Sequence, residues 1–277
     1  MSKRKLEDEK LLSTPLDEYR NLIKTGLDLD KEPEPKLSFQ VKSIDTLLNG
    51  GLSLKGITEI SGESGCGKTQ LCMFLCLTVQ FPMKLGGLGK KSIYITTEDD
   101  LRTERVIVMA KSLIKKHKLE VKVTDFLDNL IYIKVLDEDL LLQLLEGRLQ
   151  RLLEMEPIGL IVIDSITAIF RLDSNYIDRA DRMRELVMCL QNLSQKYGFL
   201  IVCVNQVSNN LVSEVPAPAL GLAWANLITT RLQIIKKDSA SLDKKGNVIQ
   251  KRVLKVIWAP KLPPSEATFY IKSDGIS

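Results

Sequence analysis

The sequence predicts an α/β protein: a mostly parallel sheet flanked by helices, continued toward the C-terminus by antiparallel strands. Three observations carry that prediction. The stretch Gly62-Glu63-Ser64-Gly65-Cys66-Gly67-Lys68-Thr69 fits the Gly-x-x-x-x-Gly-Lys-Ser/Thr pattern of a phosphate-binding loop, which joins a strand to a helix. Strand-like and helix-like stretches then alternate as far as Gln206, as they do in a parallel sheet with crossover helices. From residue 229 onward, three strand-like runs follow with no helix between them, as antiparallel neighbours do.

Residues 1–36 read as a tail with a short helix and linker, and 37–277 as the main domain. Leu11, Leu12, Leu16, Tyr19, Leu22 and Ile23 fall roughly on one helical face, suited to docking on the main body or on a partner. Pro33 and Pro35, among alternating charges, describe an extended linker. A helical pattern over 37–51 (Ile44, Leu47, Leu48) stops at Asn49-Gly50-Gly51. Residues 57–61 alternate apolar and polar as a strand running into the glycine loop, and 68–80 are apolar on nearly every side, as in a buried helix. A strand over 92–97 ends in Glu98-Asp99-Asp100. A basic helix (102–117), a strand (130–135) and a leucine-rich helix (138–155) follow.

Leu160-Ile161-Val162-Ile163 has the four consecutive large apolar residues of a strand covered on both faces, with Asp164 at its C-terminal end. A helix over 179–196 leads to a strand over 199–204 that ends in Asn205-Gln206. Residues 208–222, with Asn209, Asn210, Pro216, Pro218 and Gly221, read as a long functional loop without regular structure. Strands over 229–235, 252–258 and 267–271 complete the chain.

Composition excludes several classes. Hydrophobic residues at 44% and charged residues at 27% are near globular averages, and no apolar run approaches a membrane span. The first residues lack an apolar signal core, which predicts residence in cytosol or nucleus. Five cysteines, an odd number without metal-ligand spacing, and a single histidine, His117, read as small hydrophobes in a reducing compartment. Cys66 alone sits where a helix N-terminus can lower a thiol's pKa; otherwise it is a passive loop residue. A net charge of +4 argues for nucleic acid only if a local patch is found.

The chemistry of the loop follows from its residue types. Gly62, Gly65 and Gly67 let backbone N–H groups approach phosphate oxygens, with Glu63, Ser64, Cys66 and Gln70 completing the loop and the first helical turn. Lys68 supplies a compact cation for the β and γ phosphates, and Thr69 a hydroxyl ligand for Mg2+. In open α/β sheets ligands gather beyond the carboxyl ends of the strands, so Glu98, Asp164 and Gln206 are expected beside the loop. Glu98 would orient or activate an attacking water; alternatively it joins Asp99 and Asp100 in complementing the dipole of the next helix. Asp164 would hold Mg2+ or its waters, or else cap the following turn. Gln206 would sense the γ-phosphate, or serve as a plain strand-end amide.

Residues 57–70, Tyr94-Ile95-Thr96-Thr97-Glu98, Arg102-Thr103-Glu104-Arg105, 160–171, Asn205-Gln206-Val207 and Thr229-Thr230-Arg231-Leu232 closely resemble the ATPase core of RecA-type DNA recombinases. The order and spacing extend the likeness from about residue 37 to the end. Residues 70–82, 97–99 and 220–226 look most like a eukaryotic recombinase paralogue. The resemblance implies a RecA-like P-loop ATPase core with ATP and Mg2+ between neighbouring subunits and Arg102 beside the adenine. It also implies DNA-facing loops after Asp164 and after Gln206, and a nuclear location.

Three departures bear on function. Residues 207–226 hold no lysine or arginine and one acid, Glu214, a poor grip on a strand whose affinity rests on phosphate contacts. The preceding loop has Arg171, Arg179, Arg182 and Arg184, offset by Asp173, Asp178 and Asp181. Trp258 stands where the family's cap over a neighbour's ATP has an acid, and residues 1–36 show neither a helical DNA-binding module nor a Phe-x-x-Ala tether. The expected function is therefore an ATP-binding accessory protein of homologous recombination, hydrolysing ATP weakly. It would act in a hetero-oligomer with another paralogue and the recombinase, on single-stranded or branched DNA reached through that complex. The alternatives are a self-sufficient DNA-dependent ATPase and strand-exchange recombinase, and a scaffold whose nucleotide is purely structural.

Overall fold

The structure is a computed structural model that describes residues 25, 34–98, 100–170, 176–208, 217–242 and 248–277. Two units divide the chain, Met1–Pro35 and Lys36–Ser277; the fold below is that of the second. The helix and linker expected before residue 34 lie outside the described residues, as do Asp99, Arg171, Asp173, Asn209, Asn210, Glu214 and Pro216.

Strands β1 (Lys36–Leu37) and β2 (Leu52–Ser53) pair antiparallel around helix α1 (Lys42–Leu47). This corrects the longer helix expected over 37–51. The Asp45 carboxylate accepts the Phe39 backbone N–H at 2.7 Å and the Ser38 hydroxyl at 2.8 Å, which folds the preceding chain back across the helix start.

The large sheet contains β3 (Ile57–Gly62), β4 (Lys91–Thr96), β5 (Leu130–Lys134), β6 (Ile158–Asp164), β7 (Leu200–Ser208), β8 (Ala217–Pro218), β9 (Thr230–Leu242), β10 (Val248–Trp258), β11 (Ser265–Lys272) and β12 (Gly275–Ile276). Its order is β12-β11-β10-β9-β3-β7-β6-β4-β5, with β8 paired to β7. The pairs from β9-β3 through to β4-β5 are parallel, and those among β9, β10, β11 and β12 antiparallel. The antiparallel extension thus begins one strand later than the sequence suggests, because β9 first lines up parallel with β3.

Helices cover both faces: α2 (Lys68–Thr78), α3 (Thr103–His117), α4 (Val123–Asp128), α5 (Glu138–Gln143), α6 (Leu149–Met155), α7 (Ile166–Phe170), α8 (Tyr176–Tyr197) and the short α9 (Gly221–Ala225). A π-helical turn, Leu144–Arg148, interrupts the helix expected over 138–155. The alternation of a strand is plain in β6 and β7. Leu160, Val162, Leu200, Val202 and Val204 face the layer of α2 and α3, whereas Ile161, Ile163, Ile201 and Cys203 face that of α6 and α8. Helix α2 is buried from Leu71 to Thr78, as its apolar run requires. Helix α4 is too short to show a period in the sequence. Within the expected 208–222 loop, β8 and α9 bring order where β8 pairs back on Val207 and Ser208.

No helix among the described residues is long and apolar enough to cross a membrane.

Candidate functional site

Because β3, β7, β6 and β4 are parallel neighbours, the segments at their carboxyl ends meet at one sheet edge, where the glycine loop leaves β3 for α2. Gly67 begins α2 with φ +106°, and a Cβ there would lie 2.3 Å from Ile271 Cδ1. Gly65, by contrast, has open space on its Cβ side. A cleft of about 280 Å³ lies in front of it, lined by Ser64, Lys68, Thr69, Glu98, Asp164 and Gln206 among others.

The Lys68 ammonium, 9% exposed, donates to the carbonyls of Gly62 at 2.7 Å and Glu63 at 2.8 Å, so two of its three donors hold it inside the loop. From the other side Arg252 of β10, buried, donates Nε to the Cys66 carbonyl at 2.8 Å and Nη2 to that of Gly65 at 3.4 Å. Two cations therefore brace one short loop through its carbonyls. The thiol of Cys66 is fully buried, and burial pushes its pKa up, with Lys68 opposing. The reactive role open to it from sequence is corrected: burial outweighs the helix terminus.

Asp164 is the meeting point of two hydroxyls. Thr69 Oγ1 donates to its Oδ2 at 2.7 Å and Tyr94 Oη at 2.5 Å, leaving Oδ1 without a hydrogen-bond partner among the described residues. Burial, reinforced by Asp164, pushes the Tyr94 phenol well above its usual range, so it remains a donor at any physiological pH. Hydroxyl and carboxylate oxygens are hard donors of the kind Mg2+ takes along with water and phosphate, so the set fits that ion. Gln206 Nε2 donates to Glu98 Oε1 at 3.3 Å across the cleft.

Glu98 is exposed and close to the loop, as expected, and Asp100, three residues before α3, has partners on β5. Its carboxylate accepts from Lys134 at 2.7 Å and Tyr132 at 2.9 Å, and the Lys134 hydrogen bond holds its pKa down. Arg102 and Gln70 line an adjoining cleft of about 250 Å³ with Met73, Tyr94 and Glu98. The Gln70 side-chain carbonyl is taken by Arg105, at 3.0 and 2.8 Å, and Arg105 also holds the Lys272 carbonyl at 2.7 Å.

The sequence reading missed Tyr94 and Arg252. Tyr94 offered one signal, a hydroxyl between Ile93 and Ile95, whereas Arg252 offered none, with Lys251 and Lys255 in the same strand. Tyr94→Phe keeps the ring and removes the donor that holds Asp164. Loss of a partner of this kind is expected to weaken Mg2+-dependent ATP affinity by about tenfold or more, measured as the ATP titration at rising Mg2+. Unchanged Mg2+ dependence would show that Thr69 alone positions the carboxylate.

A sequence model of the Rad51 family matches residues 36–277, the whole of the second unit. The chain belongs to the Rad51 family. The expected fold agrees with that membership: a large, mostly parallel sheet with helices and C-terminal antiparallel strands. Proteins of the Rad51 and RecA type in general bind ATP and depend on Mg2+. The DNA repair protein XRCC3 of Bos taurus is 35% identical over 264 residues, which covers 88% of this chain and 75% of that protein. That of Mus musculus is 32% identical over 264 residues, 88% of this chain and 76% of its own. The DNA repair protein rhp57 of Schizosaccharomyces pombe is 29% identical over 275 residues, 84% of this Rad51-family chain and 76% of its own.

Proposed function

We propose that this chain is an ATP-binding DNA repair protein of homologous recombination, a recombinase paralogue that assists recombinase filaments on single-stranded DNA within a heteromeric complex. The observation that carries the ATP part is the pairing of a cation-braced glycine loop with an Asp164 carboxylate shared by Thr69 and Tyr94. Lys68 and the loop backbone would hold the β and γ phosphates, with Gly62, Glu63, Ser64, Gly65, Cys66 and Gly67 supplying the turn. Thr69 and Asp164 would hold Mg2+, which supplies neutralising charge at the phosphates when bound. Glu98 would orient the attacking water. Gln206, now hydrogen-bonded to Glu98, would exchange that partner for the γ-phosphate. Gln70 and Arg102, at the adjoining cleft, would take the base side.

The accessory role rests on three supports. Relatives over most of the chain are named DNA repair proteins. Residues 207–226 carry no lysine or arginine with which to grip a phosphate backbone. Trp258, 63% exposed at the end of β10, presents an aromatic surface suited to a neighbouring subunit rather than to solvent. A nuclear location and partnership with a second paralogue and the recombinase belong to the same reading.

Co-purification and light scattering with a recombinase and its paralogues test it. The expected result is an ATP-dependent hetero-oligomer; a stable monomer indifferent to every such partner would contradict it.

A further inference from the structure

Glu59, in the middle of β3, is 0% exposed and takes no part in the site just described. A carboxylate in such a place is costly unless both oxygens are well paired. Here donors from three separate elements converge on it. Asn205 Nδ2 of β7 donates to Oε1 at 2.6 Å, Trp224 Nε1 of α9 donates to the same oxygen at 2.8 Å, and Arg231 Nε of β9 donates to Oε2. The network does not end there. Thr167 Oγ1 of α7 donates to Asn205 Oδ1 at 2.6 Å, and the same hydroxyl oxygen accepts the backbone N–H of Gln206 at 2.9 Å. The Gln206 carbonyl in turn accepts the Ala219 N–H at 2.9 Å, five residues before Trp224.

We propose that Glu59 is a positioning residue that couples Gln206, at the nucleotide, to Trp224 through Asn205 and Thr167. The proposal rests on the ATP reading above. Every link is short and enclosed: Glu59, Asn205, Thr167 and Trp224 are all buried, and both ends of the Asn205 amide are engaged, so it cannot turn without disturbing both neighbours. When the Gln206 side chain leaves Glu98 for a phosphate, a shift of its backbone acts on the Thr167 hydroxyl, then on Asn205 and on the Glu59 oxygen that also holds the Trp224 indole. The charged oxygen makes the last two bonds the strongest of the chain. An apolar residue at position 59 would fill the same space without tying these elements together.

The test exploits the chain's tryptophan count of two. Isotope-labelled tryptophan gives two indole N–H resonances, assigned with Trp258→Phe, while ATP affinity is measured by titration of the same full-length samples. ATP with Mg2+ is expected to shift the Trp224 resonance. Thr167→Val removes the hydroxyl at almost constant shape and leaves the Glu59–Trp224 bond intact. It is expected to shrink the shift at least about threefold while ATP affinity stays within about twofold. Thr167→Ser, which keeps the hydroxyl, is expected to restore it. Should the valine variant not fold, Thr167→Ala carries the same comparison. A full shift without the hydroxyl, or no shift in the parent despite bound ATP, overturns the proposal alone. No ATP uptake by the parent overturns the nucleotide reading, and the proposal with it.

Discussion

Lys68→Ala is expected to weaken ATP binding at least about a hundredfold, because the ammonium makes charge-assisted contacts worth about 1.5–3 kcal/mol each and no other cation among the described residues lines its cleft. Arg252, the neighbouring cation, is already engaged by the Cys66 and Gly65 carbonyls on the far side of the loop. Lys68→Arg is expected to fail almost as badly. The ammonium fits between two carbonyls at 2.7 and 2.8 Å in a nearly closed pocket, and a planar guanidinium is too wide for that gap. Titration with a fluorescent ATP analogue in Mg2+ measures both, with circular dichroism to verify that the sheet is intact. Affinity within about twofold of the parent for either variant would show that the loop backbone, not Lys68, holds the phosphates.

Glu59→Ala is expected to cost stability rather than nucleotide affinity. Removing one partner of a buried ion pair leaves the other uncompensated at a cost of about 3–5 kcal/mol, and here the Trp224 indole and the Asn205 amide lose their acceptor as well. At roughly 2–4 °C per kcal/mol, the thermal midpoint should fall by about 6–20 °C. Glu59→Gln is expected to fall less. Its oxygen can still accept from Trp224 and Asn205, while its amide N–H group meets the Arg231 donor. Adding Arg231→Met to Glu59→Gln should recover part of the loss, since it removes the stranded cation. A midpoint for Glu59→Ala within about 2 °C of the parent would mean that water reaches Glu59 and the site is not the dry junction described here.

What the sequence revealed depended on the range of the interaction. The glycine loop, the apolar run of α2 and the four-residue apolar core of β6 are local patterns with one physical solution each. The expectation that Glu98, Asp164 and Gln206 gather at the loop needed only parallel strands and their carboxyl ends. Contacts across the sheet were hidden. Tyr94 reaches Asp164 because β4 lies beside β6 in a particular register, and Arg252 reaches Cys66 across 186 residues. Glu59 looked like the polar face of an alternating strand; it is buried because Trp224 of α9 and the side chains of Asn205 and Arg231 on the flanking strands close over that face. The start of the domain misled for the opposite reason: Asp45 satisfies nearby backbone with its own side chain, and a short strand replaces the early turns of helix. Asp100 at the site was hidden in the same way as the contacts across the sheet: its partners Lys134 and Tyr132 lie on β5, more than thirty residues away.

The central claim is an ATP site serving a partnered repair protein, and ATP turnover tests it most directly when measured with and without single-stranded DNA, first for the chain alone and then with a recombinase. The account predicts slow turnover that DNA barely changes for the chain alone, and a rise once the recombinase is present. Strong stimulation by DNA in the chain alone, accompanied by regular filaments, would contradict it.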